Sequence, residues 1–416
     1  MNSRAKVIFN NPFRPGAGHM PPFMAGRTEE QAEFRKLLGQ DIILENLVLT
    51  GLRGVGKTVL LETFKPLAMQ AGWLWVGDDL SEAASISEGR IATRLITDLA
   101  VITSSIVVDR QRVPRYGFDK TEDDEEIRLD YSFMVQIYEN TPGLVSDKLK
   151  AILEFVWRCM SGQDYKGIIF AYDEAQNLAD HAAKEEYPLS LMLDVFQSIQ
   201  KKNIPFMLAL TGLPTLFPKL VEARTFAERM FHVVFLDRLG TKDSKDAIIK
   251  PISDSKCPVS MDKDMVNKIA ELSGGYPYFI QFFGREVYDI VIRRYDGKGS
   301  ESLPEKILIP FSDIVRKLDS DFFAGRWGRA TDRQRELLTV IAQLDNADTE
   351  FTVQEISERS KSLLENAFSP SHANQLLAKL SDMGLVYKNR HGKYSFAVPL
   401  IDRFILRQGT KSGIGS

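Results

Sequence analysis

The stretch Gly51-Leu52-Arg53-Gly54-Val55-Gly56-Lys57-Thr58 constrains this chain more than any other, because it fits G-x-x-x-x-G-K-[ST] at every fixed position. Leu47-Val48-Leu49-Thr50 before it is an apolar run of strand length, and Val59 to Gln70 after it reads as a helix. Strand, glycine loop and helix in that order describe a phosphate-binding loop. Glycines let backbone N–H groups curl round a phosphate with no Cβ in the way, and the helix N-terminus adds partial positive charge. The candidate cradle is Gly51, Arg53, Gly54, Val55, Gly56, Lys57, Thr58 and Val59. Lys57 is expected to reach the β- and γ-phosphates of ATP, and the Thr58 hydroxyl to ligate Mg²⁺. The competing reading is a glycine turn before an ordinary helix.

A chain of 416 residues has room for two to three domains, each with its own core. A hydrophobic fraction of 44% with 26% charged residues is that of a globular protein, and the net charge of −3 offers no bulk attraction for nucleic acid. Cys159 and Cys257 lack metal-site spacing and fit a reducing cytosol. Neither the Met1–Pro15 stretch nor any later run has the apolar length of a signal peptide or membrane span, so a cytoplasmic protein with no membrane partner is expected.

Residues 1–24 are rich in Pro and Gly and read as an extended lead-in. Gly26-Arg27 stands just before a helix capped by Thr28, with Phe34, Leu37 and Leu38 inward; a plain turn explains the pair equally well. Beyond the loop, Gly72–Gly77 reads as a second strand and Ser87–Ser105 as a helix. Asp109–Asp130 breaks the pattern and includes the charged block 119–126, which is expected to be a solvated loop, with an interaction insert as the alternative. Val145–Met160 is an amphipathic helix, and Gly167–Tyr172 is a buried strand run ending in Asp173-Glu174. In a nucleoside triphosphatase the first acid holds Mg²⁺ and the second orients the attacking water. Strands often end in acids, so the pair gains its meaning from the phosphate loop upstream.

Leu189–Gln200 is a helix, Ile204–Gly212 a fourth strand containing Thr211, Thr215–Arg229 a helix and Phe231–Leu236 a fifth strand, with His232 structural. Strands alternating with helices imply a parallel sheet covered on both faces. From Thr241 only helices follow: 242–250, 262–273, 277–294 and 311–323, with Asp296–Ser300 as a flexible connection. The last part has helices over 332–342 and 353–359, a third capped by Ser369 with Pro370 at its first position, and strands 385–388 and 393–398. Three helices and a basic hairpin are the order of a winged helix-turn-helix, whose third helix and hairpin tip would face duplex DNA. His372, Gln375, Lys379, Arg390, His391 and Lys393 are the candidate contacts. Residues 325–412 hold thirteen Lys and Arg against ten Asp and Glu, a net charge of about +3, so packing or protein docking remains the alternative.

With Ala25-Gly26-Arg27, the glycine loop, Tyr172-Asp173-Glu174, a helical lid and a winged-helix ending, the chain resembles AAA+-type ATPases. It is most similar to the origin-recognition and replication-initiator group, with STAND and archaeal-type ATPases as neighbours. The resemblance implies an α/β fold: a parallel-sheet P-loop NTPase core over 25–240, a helical lid over 241–325 and a winged helix over 326–410. It puts Gly26 and Arg27 against adenine and phosphates, Thr211 where a polar residue watches the γ-phosphate, and Arg229 where an arginine finger would reach a neighbouring subunit. A surface arginine at a helix C-terminus is the plainer reading of Arg229. Gly274-Gly275-Tyr276-Pro277 matches the lid turn, but Pro277 stands where initiators usually carry an arginine, as in STAND proteins. The implied protein is a slowly hydrolysing, homo-oligomeric ATPase switch acting on DNA. The alternatives are a STAND-like protein whose winged helix docks a protein effector, and a nucleotide-binding module with little turnover.

Overall fold

The computed structural model describes residues 11–16, 18–114, 122–254, 260–295, 307–390 and 392–411. They divide into two compact units: Thr28–Gly51 with Lys57–Phe235, here the sheet unit, and Met1–Arg27 with Leu52–Gly56 and Leu236–Ser416, the C-terminal unit. The strands in chain order are β1 (Asn46–Gly51), β2 (Trp73–Val76), β3 (Val107–Pro114), β4 (Glu122–Arg128), β5 (Gly167–Tyr172), β6 (Phe206–Gly212) and β7 (Phe231–Leu236). They continue with β8 (Phe351–Thr352), β9 (Val386–Arg390) and β10 (Lys393–Phe396).

A five-stranded sheet in the order β2-β5-β6-β1-β7 organises the sheet unit, with β2–β5, β5–β6 and β6–β1 parallel. Every residue of β1, β5 and β6 is buried, which is why these strands read as unbroken apolar runs. One face packs Val48, Phe170, Tyr172, Leu208 and Leu210 into a core with helices Glu88–Thr103, Val145–Met160 and Pro188–Gln200. Elsewhere in the unit Phe34 stacks on Phe64 at 4.2 Å and meets the edge of Trp75 at 6.3 Å. Because β6 lies between β5 and β1, the carboxyl ends of three adjacent strands carry Asp173-Glu174, Thr211-Gly212 and Gly51.

Two sequence expectations fail here, and one helix has no counterpart in them. The charged block 119–126 is not a loop over its described residues 122–126, which lie in β4; β4 pairs antiparallel with β3, with Arg110 opposite Glu126 and Arg112 opposite Asp124. Residues 115–121 lie outside the described residues. The helix Tyr131–Asn140 that follows, capped by the Asp130 carboxylate accepting from Phe133 N at 2.9 Å, went unread. The single helix expected over 215–229 is two, Leu216–Ala223 and Ala227–Met230. Arg224 breaks it with extended backbone, its guanidinium held by both Asp194 oxygens at 2.8 and 2.6 Å and by Ser190 Oγ at 2.8 Å.

The C-terminal unit contains helices Thr241–Asp254, Lys263–Ser273, Pro277–Tyr295 and Phe311–Leu318. The last was expected to continue α-helical to Phe323, but Asp319–Phe323 is a π-turn, followed by helix Ala324–Gly328. Helices Asp332–Ala342, Val353–Leu363 and Pro370–Asp382 then accompany an antiparallel sheet β8-β10-β9 and a final helix Ile401–Lys411. Neither β8 nor that final helix was anticipated. Ser369 caps its helix as expected, accepting from His372 N at 3.3 Å. Arg407 grips Asp319 at 2.9 and 2.5 Å, and Phe323 stacks on Phe404 at 5.2 Å. The expected connection Asp296–Ser300 and Cys257 lie outside the described residues.

The described part of the lead-in is a fitted strap. Phe13 is 2% exposed, and Asn11 Nδ2 donates to Arg285 O at 2.9 Å and Asp289 Oδ1 at 2.7 Å. Arg14 N donates to Gln281 Oε1 at 2.9 Å. A Cβ on Gly284 would lie 2.5 Å from the Phe13 ring, so this helix position admits the ring only as glycine.

Candidate functional site

In the sheet unit, Lys57 and Thr58 open the helix Lys57–Gln70 directly after β1 and the glycine loop. Lys57 Nζ donates to Gly51 O at 3.0 Å, folding back over the start of the loop. Thr58 Oγ1 donates to Asp173 Oδ2 at 2.5 Å, so the two residues expected to hold a metal meet. Asp173 is 4% exposed; burial raises its pKa, while the bond from Thr58 and the Lys57 charge oppose the rise. A hydroxyl beside a buried carboxylate is a hard oxygen donor set that fits a divalent cation. Among the described residues no cluster of three or more His, Cys, Asp or Glu could hold a metal by itself. That suits an ion that keeps waters and takes phosphate oxygens.

Glu174 turns away from the strand in a left-handed conformation, φ 51°, with its N–H donating to Asp173 Oδ1 at 2.7 Å. Gln176, which sequence reading missed, holds its carboxylate: Gln176 Nε2 donates to Glu174 Oε2 while Gln176 Oε1 accepts from Leu213 N at 3.0 Å. Thr211, two residues before Leu213, is fully buried, and its hydroxyl has no partner among the described residues. A buried hydroxyl left unpaired costs on the order of 1–3 kcal/mol, which a ligand oxygen would recover. Asp79 was also missed; it bridges Asp173 through the backbone, and burial followed by the Asp173 charge raises its pKa. Val59 lies in the same helix, its carbonyl accepting from Thr63 Oγ1 at 2.8 Å.

In the C-terminal unit, the glycines at 54 and 56 take φ of 78° and 91°, the left-handed region the loop needs. Arg27 is 7% exposed, and its Nη2 donates to Val55 O at 3.0 Å and Asp237 O at 2.8 Å. It therefore braces the loop's backbone. Gly26 lies close to Asp243, whose carboxylate would be 2.7 Å from an added Cβ. Tyr278 N donates to Gly54 O at 3.2 Å, and Pro277 Cγ lies 4.0 Å from where a Cβ of Gly56 would be.

Over 92% of its length the chain superposes on 96% of the Walker-type ATPase Paby2304 of Pyrococcus abyssi, with a TM-score of 0.55 and 16% identity. It matches the Aeropyrum pernix ORC2 protein in its ADP form over 97% of this chain and 98% of that one, at a TM-score of 0.53 and 14% identity. The chain thus shares the fold of these two solved structures. Residues 320–405 also match a sequence family described as a domain of unknown function, DUF8462. No curated protein matches the sequence.

The remaining candidates lie on several elements. Arg229 is exposed on the four-residue helix Ala227–Met230. His232 Nε2 lies 3.4 Å from Glu33 Oε2. Gln375 and Lys379 are exposed on one helix, but His372 is half-buried with its ring 5.6 Å from that of Phe368. Lys393 Nζ lies 3.6 Å from Glu350 Oε2. Arg390 ends β9, and His391 lies outside the described residues. No helix among the described residues is long and apolar enough to cross a membrane.

Proposed function

We propose that this chain is a cytoplasmic, ATP-dependent switch that hydrolyses ATP slowly and thereby controls its own oligomerisation and its binding to duplex DNA. The observation that carries the reading is the 2.5 Å hydrogen bond joining Thr58, at the end of the phosphate loop, to Asp173 on the acid strand. The ADP form of the ORC2 neighbour agrees with it. Residues 25–240 would be the ATPase domain, 241–325 the lid and 326–410 the winged helix, after an N-terminal segment over 1–24. Thr58 and Asp173 would hold Mg²⁺, which when bound neutralises charge on the phosphates. Lys57 draws electron density from the β- and γ-phosphates, Glu174 orients the water that attacks the terminal phosphorus, and Thr211 donates to a phosphate oxygen. Gly26 and Arg27 border the nucleotide through the loop that Arg27 braces. Arg229 reaches the site of a neighbouring subunit. Slow turnover follows from Gln176, whose donated hydrogen bond occupies the Glu174 carboxylate until it lets go.

In the STAND-like reading the winged helix docks a protein effector instead. Pro277 in the lid turn favours it, as do the Lys393–Glu350 pair and the packing of His372, which leave little free positive charge for DNA. Particle mass and duplex-DNA binding, measured together without nucleotide, with ADP, and with ATP on Glu174→Gln, separate the readings. The DNA switch requires that ATP drive assembly and DNA binding, that Lys57→Ala abolish both, and that Arg229→Ala stop turnover while sparing ATP binding. A protein that stays monomeric and ignores DNA in all three states sinks it.

A further inference from the structure

The C-terminal unit contains a cavity of about 520 Å³ that none of these roles uses, and its whole wall belongs to that unit. The turn before helix Pro277–Tyr295 supplies Tyr276, and the β8-β10-β9 sheet supplies Tyr387 and Phe396. Leu400 and Asp402 come from the entry to the last helix, Ile401–Lys411. Leu400 takes φ 60°, a left-handed conformation that bulky side chains avoid, as it turns the chain into that helix. Asp402 then stands in the helix's first turn. The volume suits a small organic molecule.

Two polar groups of the wall want for partners. Tyr276 is 7% exposed, and its phenol makes no hydrogen bond among the described residues. A buried hydroxyl in that state costs free energy that a ligand atom would recover. Asp402 is half-buried and receives no hydrogen bond from any side chain among the described residues. The wall's two cations are engaged: Arg238 lies 3.8 Å from Asp348 Oδ2, and Arg403 Nη1 donates to Glu271 O at 3.0 Å. Against these two stand four carboxylates, Asp345, Asp348, Glu350 and Asp402. That excess repels phosphates and carboxylates and attracts a cation. No three acids among the described residues converge to hold a metal ion. Phe396, Val398 and Leu400 add apolar surface, so the cavity suits an organic cation rather than a metal. An ammonium can donate to a carboxylate and a phenol oxygen at once, and it is attracted to aromatic faces.

We propose that this cavity binds a small organic cation, a primary ammonium on an apolar body, with Asp402 and the Tyr276 hydroxyl receiving the ammonium. Calorimetric titration of the full chain without nucleotide tests it, using phenethylamine and, in parallel, hydrocinnamate, which carries a carboxylate on the same body. The amine should bind with a Kd of roughly 1 mM or tighter, and the carboxylate at least about tenfold more weakly. Asp402→Asn should weaken the amine about tenfold, the loss expected for one hydrogen bond to a charged group. Tyr276→Phe should weaken it about threefold, the smaller loss of a hydroxyl. Asp402→Asn keeps the shape of the side chain and Tyr276→Phe keeps the ring, so if one variant misfolds the other decides. Equal binding of the two compounds overturns the proposal. So does an amine that fails to bind, or one whose affinity neither variant lowers. The ATP switch stands or falls separately, because no nucleotide is present in these titrations.

Discussion

At the scale of single residues, burial decides which groups titrate out of range. Tyr276 is 7% exposed, and burial pushes its phenol up to about 12. The unfolded chain loses that proton near pH 10 and the folded chain later, so stability is intact below about pH 10 and falls as pH climbs towards about 12. Two pH units correspond to on the order of 2–3 kcal/mol. Tyr276→Phe should therefore flatten the alkaline limb of a stability profile, read as urea midpoints from about pH 9 to about pH 12. It will not erase that limb, because burial also raises Tyr172. The sequence exposed Lys57, Thr58, Asp173 and Glu174 because their spacing and the strand before each belong to the local chain. Gln176 was hidden because its meaning depends on Leu213, far along the chain just past the end of β6.

Among elements, the parallel strands were legible because burial on both faces writes itself as an apolar run. The break at Arg224 was not, since its cause is an ion pair with Asp194 on another helix. The strap over residues 11–14 likewise looked like formless Pro and Gly, although Phe13 is among the most buried side chains in the molecule. Its receptor gives a sharp expectation. Gly284→Ala places a methyl group in the space of the ring, and overpacking of this kind costs about 1–3 kcal/mol. The strap should then detach, seen as faster proteolysis near Arg14 and a lower melting temperature. Phe13→Ala alone should expose the same bond, and adding Gly284→Ala to it should cost little more, because the clash has gone. Full additivity of the two losses would show that the strap does not sit as described.

For the molecule as a whole, charge limits how DNA could be bound. The net charge is −3, and of the candidate contact face only Lys379, Arg390 and Lys393 bring formal positive charge. Displacing counterions with three cations gives a slope of log affinity against log salt no steeper than about −3. Glu350 engages both Lys393 and Asn389. Glu350→Gln should release Lys393 and strengthen DNA binding several-fold at low salt, with a steeper slope. Unchanged binding in a filter or fluorescence assay would place the contact elsewhere.

The strap also orders the birth of the protein. Asn11 bonds a residue 278 positions later, so the strap cannot be finished until the helix Pro277–Tyr295 has been made. Until then a phenylalanine waits in water without its pocket. A chain cut short before Gly284 would carry that loose aromatic strap for good, a handle for chaperones and a seed for aggregation that the folded chain hides.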